Sequence, residues 1–351
     1  MNNPEPRKIH LVGTIPAESD EKAMAWALKQ TNNGELLCTL PSGETGARKN
    51  WLIPIVESMR DHPALEIRTE GAWSHYKDLL SFKIRKGHTL RADSLNFGYA
   101  DHTLKVWDAF KKAREAVNKH GMAYQVSIPG DLDMAMFTLG PIGPMRHREA
   151  FTQRTVHEIE SIYSSFGTEA IFQIEVPVEL VFTTKAPGPL QGLVAKRLAK
   201  GISRIAERSP SGARFGVHLC LGDMNNRALG QMRDVRPLVA MNNAIAERWP
   251  LGRSLEFIHA PLAAADSPPP TERAWYSPLR GLRLPHQTRF VAGLAHESPA
   301  VSDIEQAETL ATVEDLIGRR VDIAAACGFG RRELPAAEEV MRRSRFLVDQ
   351  P

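Results

Sequence analysis

Eight short, nearly continuous apolar runs, each followed by a segment with helical periodicity, constrain this chain more than any other feature. They lie at 9–14 (IHLVGT), 36–41 (LLCTLP), 123–129 (AYQVSIP), 170–178 (AIFQIEVPV), 214–221 (RFGVHLCL), 254–259 (SLEFIH), 289–295 (RFVAGLA) and 321–327 (VDIAAAC). Runs of this length without polar alternation suit parallel strands covered on both faces. The intervening segments, such as SDEKAMAWALKQ and SDIEQAETLATVEDLIGRR, carry amphipathic spacing, with Ser19 and Ser302 placed as N-caps. The last six runs start at 123, 170, 214, 254, 289 and 321, spaced at the length of a βα unit. The pattern predicts an α/β fold, a (β/α)₈ TIM barrel formed by residues 1–351 as a single domain. A doubly wound sheet is the second architecture, but no GxGxxG fingerprint follows the first run.

Two stretches break the repeat. Residues 61–101, between the second and third runs, read as an inserted excursion with small strands of its own. Residues 266–281 (DSPPPTERAWYSPLRG) form an irregular connection after the sixth run. In a barrel both start at the C-terminal face, where active sites sit.

Composition narrows the function. Of the 351 residues 42% are apolar and 24% charged, and the formal net charge is +3, the balance of a soluble enzyme. There is no run of 18 apolar residues and no basic, aromatic-interleaved patch, so neither a membrane span nor a nucleic-acid partner is expected. The polar start MNNPEPRK leaves no room for a secretory leader. Three cysteines far apart do not make a disulfide framework. A cytoplasmic location follows as the expectation. Oligomeric state is left open, a homo-oligomer included.

The strongest chemical signal is GVHLCLGD. His218 and Cys220, two apart on a strand, project to one face, and Cys327 closes another apolar run before Gly328. Three such ligands at strand ends suit Zn²⁺ with an open position. The other reading makes the cysteines small buried apolar residues and His218 a core histidine. The sixth run, LEFIHAP, offers a fourth ligand, with His259 at the strand end preferred to the deeper Glu256. Glu44, after the second run, and Glu175, within the fourth, are acids able to hold a substrate ammonium. An internal ion pair for Glu175 and a solvated loop for Glu44 are the competing readings. His296 is a candidate general acid or base. Gly13 and Thr14 end the first run, where backbone N–H groups can meet a substrate carboxylate. Arg48 and Lys49 are available to an anion.

Taken together these elements resemble the catalytic C-terminal barrel of cobalamin-independent methionine synthase. The similarity is carried by VGTIP at Gly13 to Pro16, Gly43-Glu44, FQIE with Glu175, His218-x-Cys220, Cys327-Gly328, and His296 near Ser298-Pro299. It implies a zinc site, two acids for the amino group of a thiol substrate, and His296 assisting proton transfer. This sequence departs from the pattern in two places. IHAP stands where the family has its glutamate ligand, and VSIPGDLDMAMF lacks the tryptophan that stacks folate. The chain resembles a stand-alone branch of the superfamily, which implies transfer of an alkyl or methyl group from a donor other than folate to a small thiol. A zinc-dependent hydrolase or lyase using the same site is the first alternative. The second is a metal-free barrel like the uroporphyrinogen decarboxylases.

Overall fold

The computed structural model describes residues 6–351; residues 1–5, part of the polar start read against a secretory leader, lie outside the described residues. Among the described residues nine strands form: β1 (Thr39–Pro41), β2 (Leu65–Thr69), β3 (Ser81–Ile84), β4 (Ala123–Pro129), β5 (Ala170–Glu175), β6 (Arg214–His218), β7 (Ser254–Pro261), β8 (Arg289–Ala295) and β9 (Asp322–Ala325). Seven of them make one curled parallel sheet in the order β1-β4-β5-β6-β7-β8-β9, and β2 pairs antiparallel with β3 in a separate hairpin. Among the described residues eleven α-helices connect and flank the strands. All seven residues of β4 and all six of β5 are buried, as expected for strands covered on both faces.

The expected strand at 9–14 is the main correction. It contributes one parallel bridge, Ile9 to Ile323, and no regular strand, so the sheet has seven strands where eight were predicted. The segment still touches both ends of the sheet. Ile9 N–H donates to Leu36 O (2.7 Å), His10 N–H to Ile323 O (2.8 Å), and Ile323 N–H to Lys8 O (2.9 Å). Its next two carbonyls turn away from any strand partner. Leu11 O accepts from Gln125 Nε2 (2.9 Å), and Val12 O accepts from Gln125 Nε2 (2.9 Å), Gln173 Nε2 (2.6 Å) and Ser127 Oγ (3.0 Å). A backbone engaged by buried side-chain amides cannot continue a ladder. Four other runs are shorter than predicted. β1 starts at Thr39, β5 stops at Glu175, β6 at His218 and β9 at Ala325, so Cys220 and Cys327 lie just beyond their strands.

Period-two alternation sorts side chains along the inside of the curl. At the N-terminal end Ala123, Ile171, Phe257, Val291 and Ala324 pack as a small apolar cluster. One step up, Gln125 and Gln173 are polar, and at the C-terminal ends Glu175 and His218 stand in register. Gly216 makes the lower layer possible, because a Cβ there would lie 2.1 Å from Phe257 Cζ. The two predicted N-caps are in place. Ser19 accepts from Lys22 N–H, and Ser302 forms a capping box with Glu305. Among the described residues no helix is long and apolar enough to cross a membrane.

The β2–β3 hairpin sits within the predicted excursion and leans over the loop that follows β6. Tyr76 Oη accepts from Met224 N–H (2.8 Å), and Asn225 Nδ2 donates to Ser74 O (2.8 Å). Trp73 stacks near Phe137, with ring centroids 6.5 Å apart.

Gly216→Ala is expected to cost about 1–3 kcal/mol by overpacking against Phe257, read from urea denaturation. The double variant Gly216→Ala/Phe257→Leu should recover part of that loss. A single variant as stable as the parent would show that the lower layer is looser than the contact distance implies.

Candidate metal centre

β6 delivers His218 at its last position, fully inside the sheet, and the chain then leaves the strand. Leu219 N–H donates to His259 O (3.0 Å), and Gly222, with a left-handed φ of 86°, turns the chain so that its N–H points at Cys220 Sγ (3.3 Å). Cys327 arrives from the end of β9. The two sulfurs are 3.8 Å apart, and Cys327 Sγ is 3.9 Å from His218 Nε2. Ligand atoms of all three residues lie within 4.8 Å of one another.

The sulfur–sulfur distance fits a tetrahedral ion. Zn–S bonds of about 2.3 Å at tetrahedral angles separate two sulfurs by about 3.8 Å. The chemistry of the donors agrees. Cys220 and burial push the Cys327 thiol well above its ordinary range, so a thiolate pair here calls for a cation. Burial, reinforced by His259, pushes the His218 imidazole far down, which leaves it neutral with a lone pair to give.

His259 stands behind the trio rather than in it. Its Nδ1 is 2.7 Å from His218 Nδ1, and its Nε2 is 2.8 Å from Ala325 O, so both ring nitrogens are engaged. Glu256 is at the other end of the sheet, paired with Arg214 (2.8 Å) beside Lys8 and Asp322.

A cavity of about 80 Å³ opens above the trio, lined by His218, Cys220, Cys327, Gly13, Thr14, Glu44 and Glu175. Glu44 reaches it through a strained turn. Gly43 has φ 92° and Glu44 itself φ 44°, and a Cβ on Gly43 would strike Ala23 Cβ at 2.3 Å. A non-glycine residue in that region costs about 1–2 kcal/mol, a cost the surrounding packing must hold. Gly13 is small for the same cavity, since a Cβ would lie 3.0 Å from both Glu44 Oε2 and Ser127 Oγ. Burial pushes Glu44 up to about 7, partly offset by Arg48. Glu175 is pushed well above the carboxylate range by burial and then by Glu44, while Gln173 Nε2 donates to its Oε1 (3.1 Å). A buried and a half-buried acid facing one cavity suit a single cationic ligand.

His296 is not among the residues lining this cavity. Its Nδ1 accepts from Ser298 N–H (3.0 Å), and its carbonyl accepts from Arg343 Nη1 (2.9 Å) beside the Arg332–Glu297 pair. Sequence reasoning missed several lining residues. Asp223 and Arg331 pair at 3.3 Å, and Tyr76, Trp51 and Phe137 form an aromatic rim. A buried acid three residues after Cys220 was visible in HLCLGD. The aromatic rim was not, because it depends on how residues 51, 76 and 137 converge.

No family profile matches the sequence, and no curated protein sequence matches it. The fold is shared with solved structures. A B12-independent methionine synthase from Shewanella sp. W3-18-1, in complex with selenomethionine, superposes with a TM-score of 0.59 at 12% identity, over 98% of this chain and 96% of that one. A protein described as a vitamin-B12-independent methionine synthase from Listeria monocytogenes gives 0.52 at 12% identity, over 99% of both chains. A methyltransferase from Methanosarcina mazei gives 0.52 at 12% identity, over 99% of this chain and 94% of that one.

Between pH 4.5 and about 7 the folded protein holds a proton at Glu44 that the unfolded chain releases, so stability from this group falls as pH rises through that window. In chelator-treated protein, Glu44→Gln should therefore gain stability over the parent at pH 8, by up to about 3 kcal/mol, with the gap closing toward pH 5. Urea denaturation at the two pH values checks this. A difference independent of pH would place Glu44 in solvent.

Proposed function

We propose that this chain, one domain built as a (β/α)₈-type barrel with segment 8–10 as its eighth stave, is a zinc-dependent transferase. It moves an alkyl or methyl group onto a small amino thiol, as methionine synthases do. The observation that carries the reading is the His218, Cys220 and Cys327 cluster, with sulfurs 3.8 Å apart, opening on a cavity that two acids also line. Three protein ligands leave one position for an exogenous ligand, the arrangement of catalytic rather than structural zinc. The shared fold with methionine synthases, one of them holding selenomethionine, supports the same assignment.

A zinc ion bound by His218, Cys220 and Cys327 supplies a Lewis acid that lowers the pKa of a thiol placed beside it. The chain's own residues do the rest. Gly222 N–H stabilises negative charge on Cys220 Sγ. Glu44 and Glu175 hold the substrate ammonium, which restores a counter-charge to the acids that burial otherwise keeps protonated. Gln173 holds Glu175 in place from below. Arg331, fixed by Asp223, supplies a cation at the same cavity for the substrate's carboxylate. The aromatic rim of Trp51, Tyr76 and Phe137 excludes water and takes the alkyl donor. In the transfer the substrate sulfur forms a bond to the donor carbon, and the bond to the leaving group breaks with its electron pair. Alignment of sulfur and carbon is the chain's main contribution. His296 lies outside the cavity and both acids are engaged with the ammonium, so proton return to the leaving group falls to solvent.

Two measurements test this. Protein purified without chelators should carry one zinc per chain by mass spectrometry, lost in both Cys220→Ser and Cys327→Ser. Metal-free parent protein with unaltered variants would end the zinc reading. Glu175→Gln should weaken binding of an amino thiol roughly 10-fold or more, on the scale of a charged hydrogen bond, with zinc content unchanged. Unchanged thiol affinity would remove Glu175 from the substrate site. Turnover without any thiol would replace transfer with hydrolysis or elimination.

A further inference from the structure

His259 and His218 form a buried imidazole pair whose proton positions can be worked out from their partners. Both residues are at or below 2% exposure, so no water competes for their ring nitrogens. His259 Nε2 faces Ala325 O at 2.8 Å. A carbonyl oxygen only accepts, so His259 carries its proton on Nε2. Both rings are buried with no carboxylate at any ring nitrogen, so a second ring proton would have no counter-charge, and the His259 Nδ1 holds a lone pair. That lone pair lies 2.7 Å from His218 Nδ1, a hydrogen-bond distance that requires a proton between them. The proton therefore sits on His218 Nδ1. His218, neutral for the same reason, is left with its lone pair on Nε2, the nitrogen 3.9 Å from Cys327 Sγ.

We propose that His259 is a positioning residue: through the relay from His218 Nδ1–H to His259 Nδ1 and from His259 Nε2–H to Ala325 O, it fixes the His218 tautomer that turns Nε2 toward the two thiols. A neutral histidine in water prefers the other tautomer, with the proton on Nε2, which could not bind a metal there. A metal-ligating histidine ordinarily donates its second ring N–H to a carboxylate, a carbonyl or water. Here a second imidazole stands in that place and passes the hydrogen bond on to the backbone of β9, the strand that leads to Cys327. One ligand's orientation is thereby tied to the strand that delivers another. β8 makes room for the arrangement. A Cβ on Gly293 would lie 2.8 Å from His259 Nε2 and 3.0 Å from Ala325 O, in the space of this bond.

The inference rests on the zinc reading for its purpose but not for its test. Long-range ¹H–¹⁵N correlation of the histidine rings in metal-free, ¹⁵N-labelled protein, with the His218 signals assigned by their loss in His218→Gln, should show a protonated Nδ1 and a bare Nε2 on His218. A protonated Nε2 would overturn the proposal whether or not zinc binds. A protonated Nδ1 in protein that takes up no zinc would support the relay and refute the zinc reading instead. In zinc competition against a chelator, His259→Phe should weaken affinity roughly 10- to 100-fold while keeping ring volume. His259→Asn, whose Oδ1 replaces the accepting Nδ1, should recover most of that loss. Equal zinc affinity in parent, His259→Phe and His259→Asn would overturn it. Should His259→Phe fail to fold, the tautomer spectrum of the parent still decides.

Discussion

Strand alternation inside a tightly curled parallel sheet forces every second side chain into a shared interior, and that interior must satisfy its own polar groups. The rest of this structure depends on that constraint. Water cannot reach Gln125, Gln173 or His259, so each must find a partner among the others or in the backbone. The result is a continuous set of bonds. Thr39 reaches Gln125, Gln125 and Gln173 reach the carbonyls of segment 11–12, His10 reaches Gln173, and Gln173 reaches Glu175. A fully satisfied buried network allows few alternative arrangements. This one sets the height and direction of Glu175, and with it the floor of the cavity.

The candidate ligands themselves mostly lie where regular structure has ended. His218 is the last residue of β6, and Cys220 and Cys327 follow strand ends. A sheet supplies stiffness, but its side chains point across the axis rather than up out of it. The turn at Gly222 and the bend before Gly328 lift two sulfurs to the level of one imidazole. Gly328 is required there for another reason too, since a Cβ would meet Thr14 Oγ1 at 2.2 Å.

Much of this architecture was legible in the residues. β4 and β8 were read to their end residues, because apolar runs bounded by Pro129 and His296 leave little choice. The failure at 9–14 has a specific cause. IHLVGT looks like a buried strand, but its carbonyls are taken by glutamines from β4 and β5, a tertiary demand invisible in local pattern. The grouping of His218, Cys220 and Cys327 followed from strand-end placement, whereas the location of His259 did not. A histidine at the end of an apolar strand reads alike as a ligand or as a ligand's support, and the sequence holds no sign of the contacts with His218 and Ala325 O that engage both its ring nitrogens. Asp223 and Arg331 went unnoticed because charged residues in loops are ordinarily solvated.

The bonds joining segment 8–10 to Ile323 span nearly the whole chain. During synthesis residues 8–10 leave the ribosome long before the strand that pairs with them. At about 5–20 residues per second, the first segment waits on the order of tens of seconds with its hydrogen-bonding edge unpaired. The glutamines of β4 and β5, which hold the Leu11 and Val12 carbonyls in the folded chain, emerge much sooner. The bond pattern that spoils the segment as a strand is thus one whose partners are made before β9.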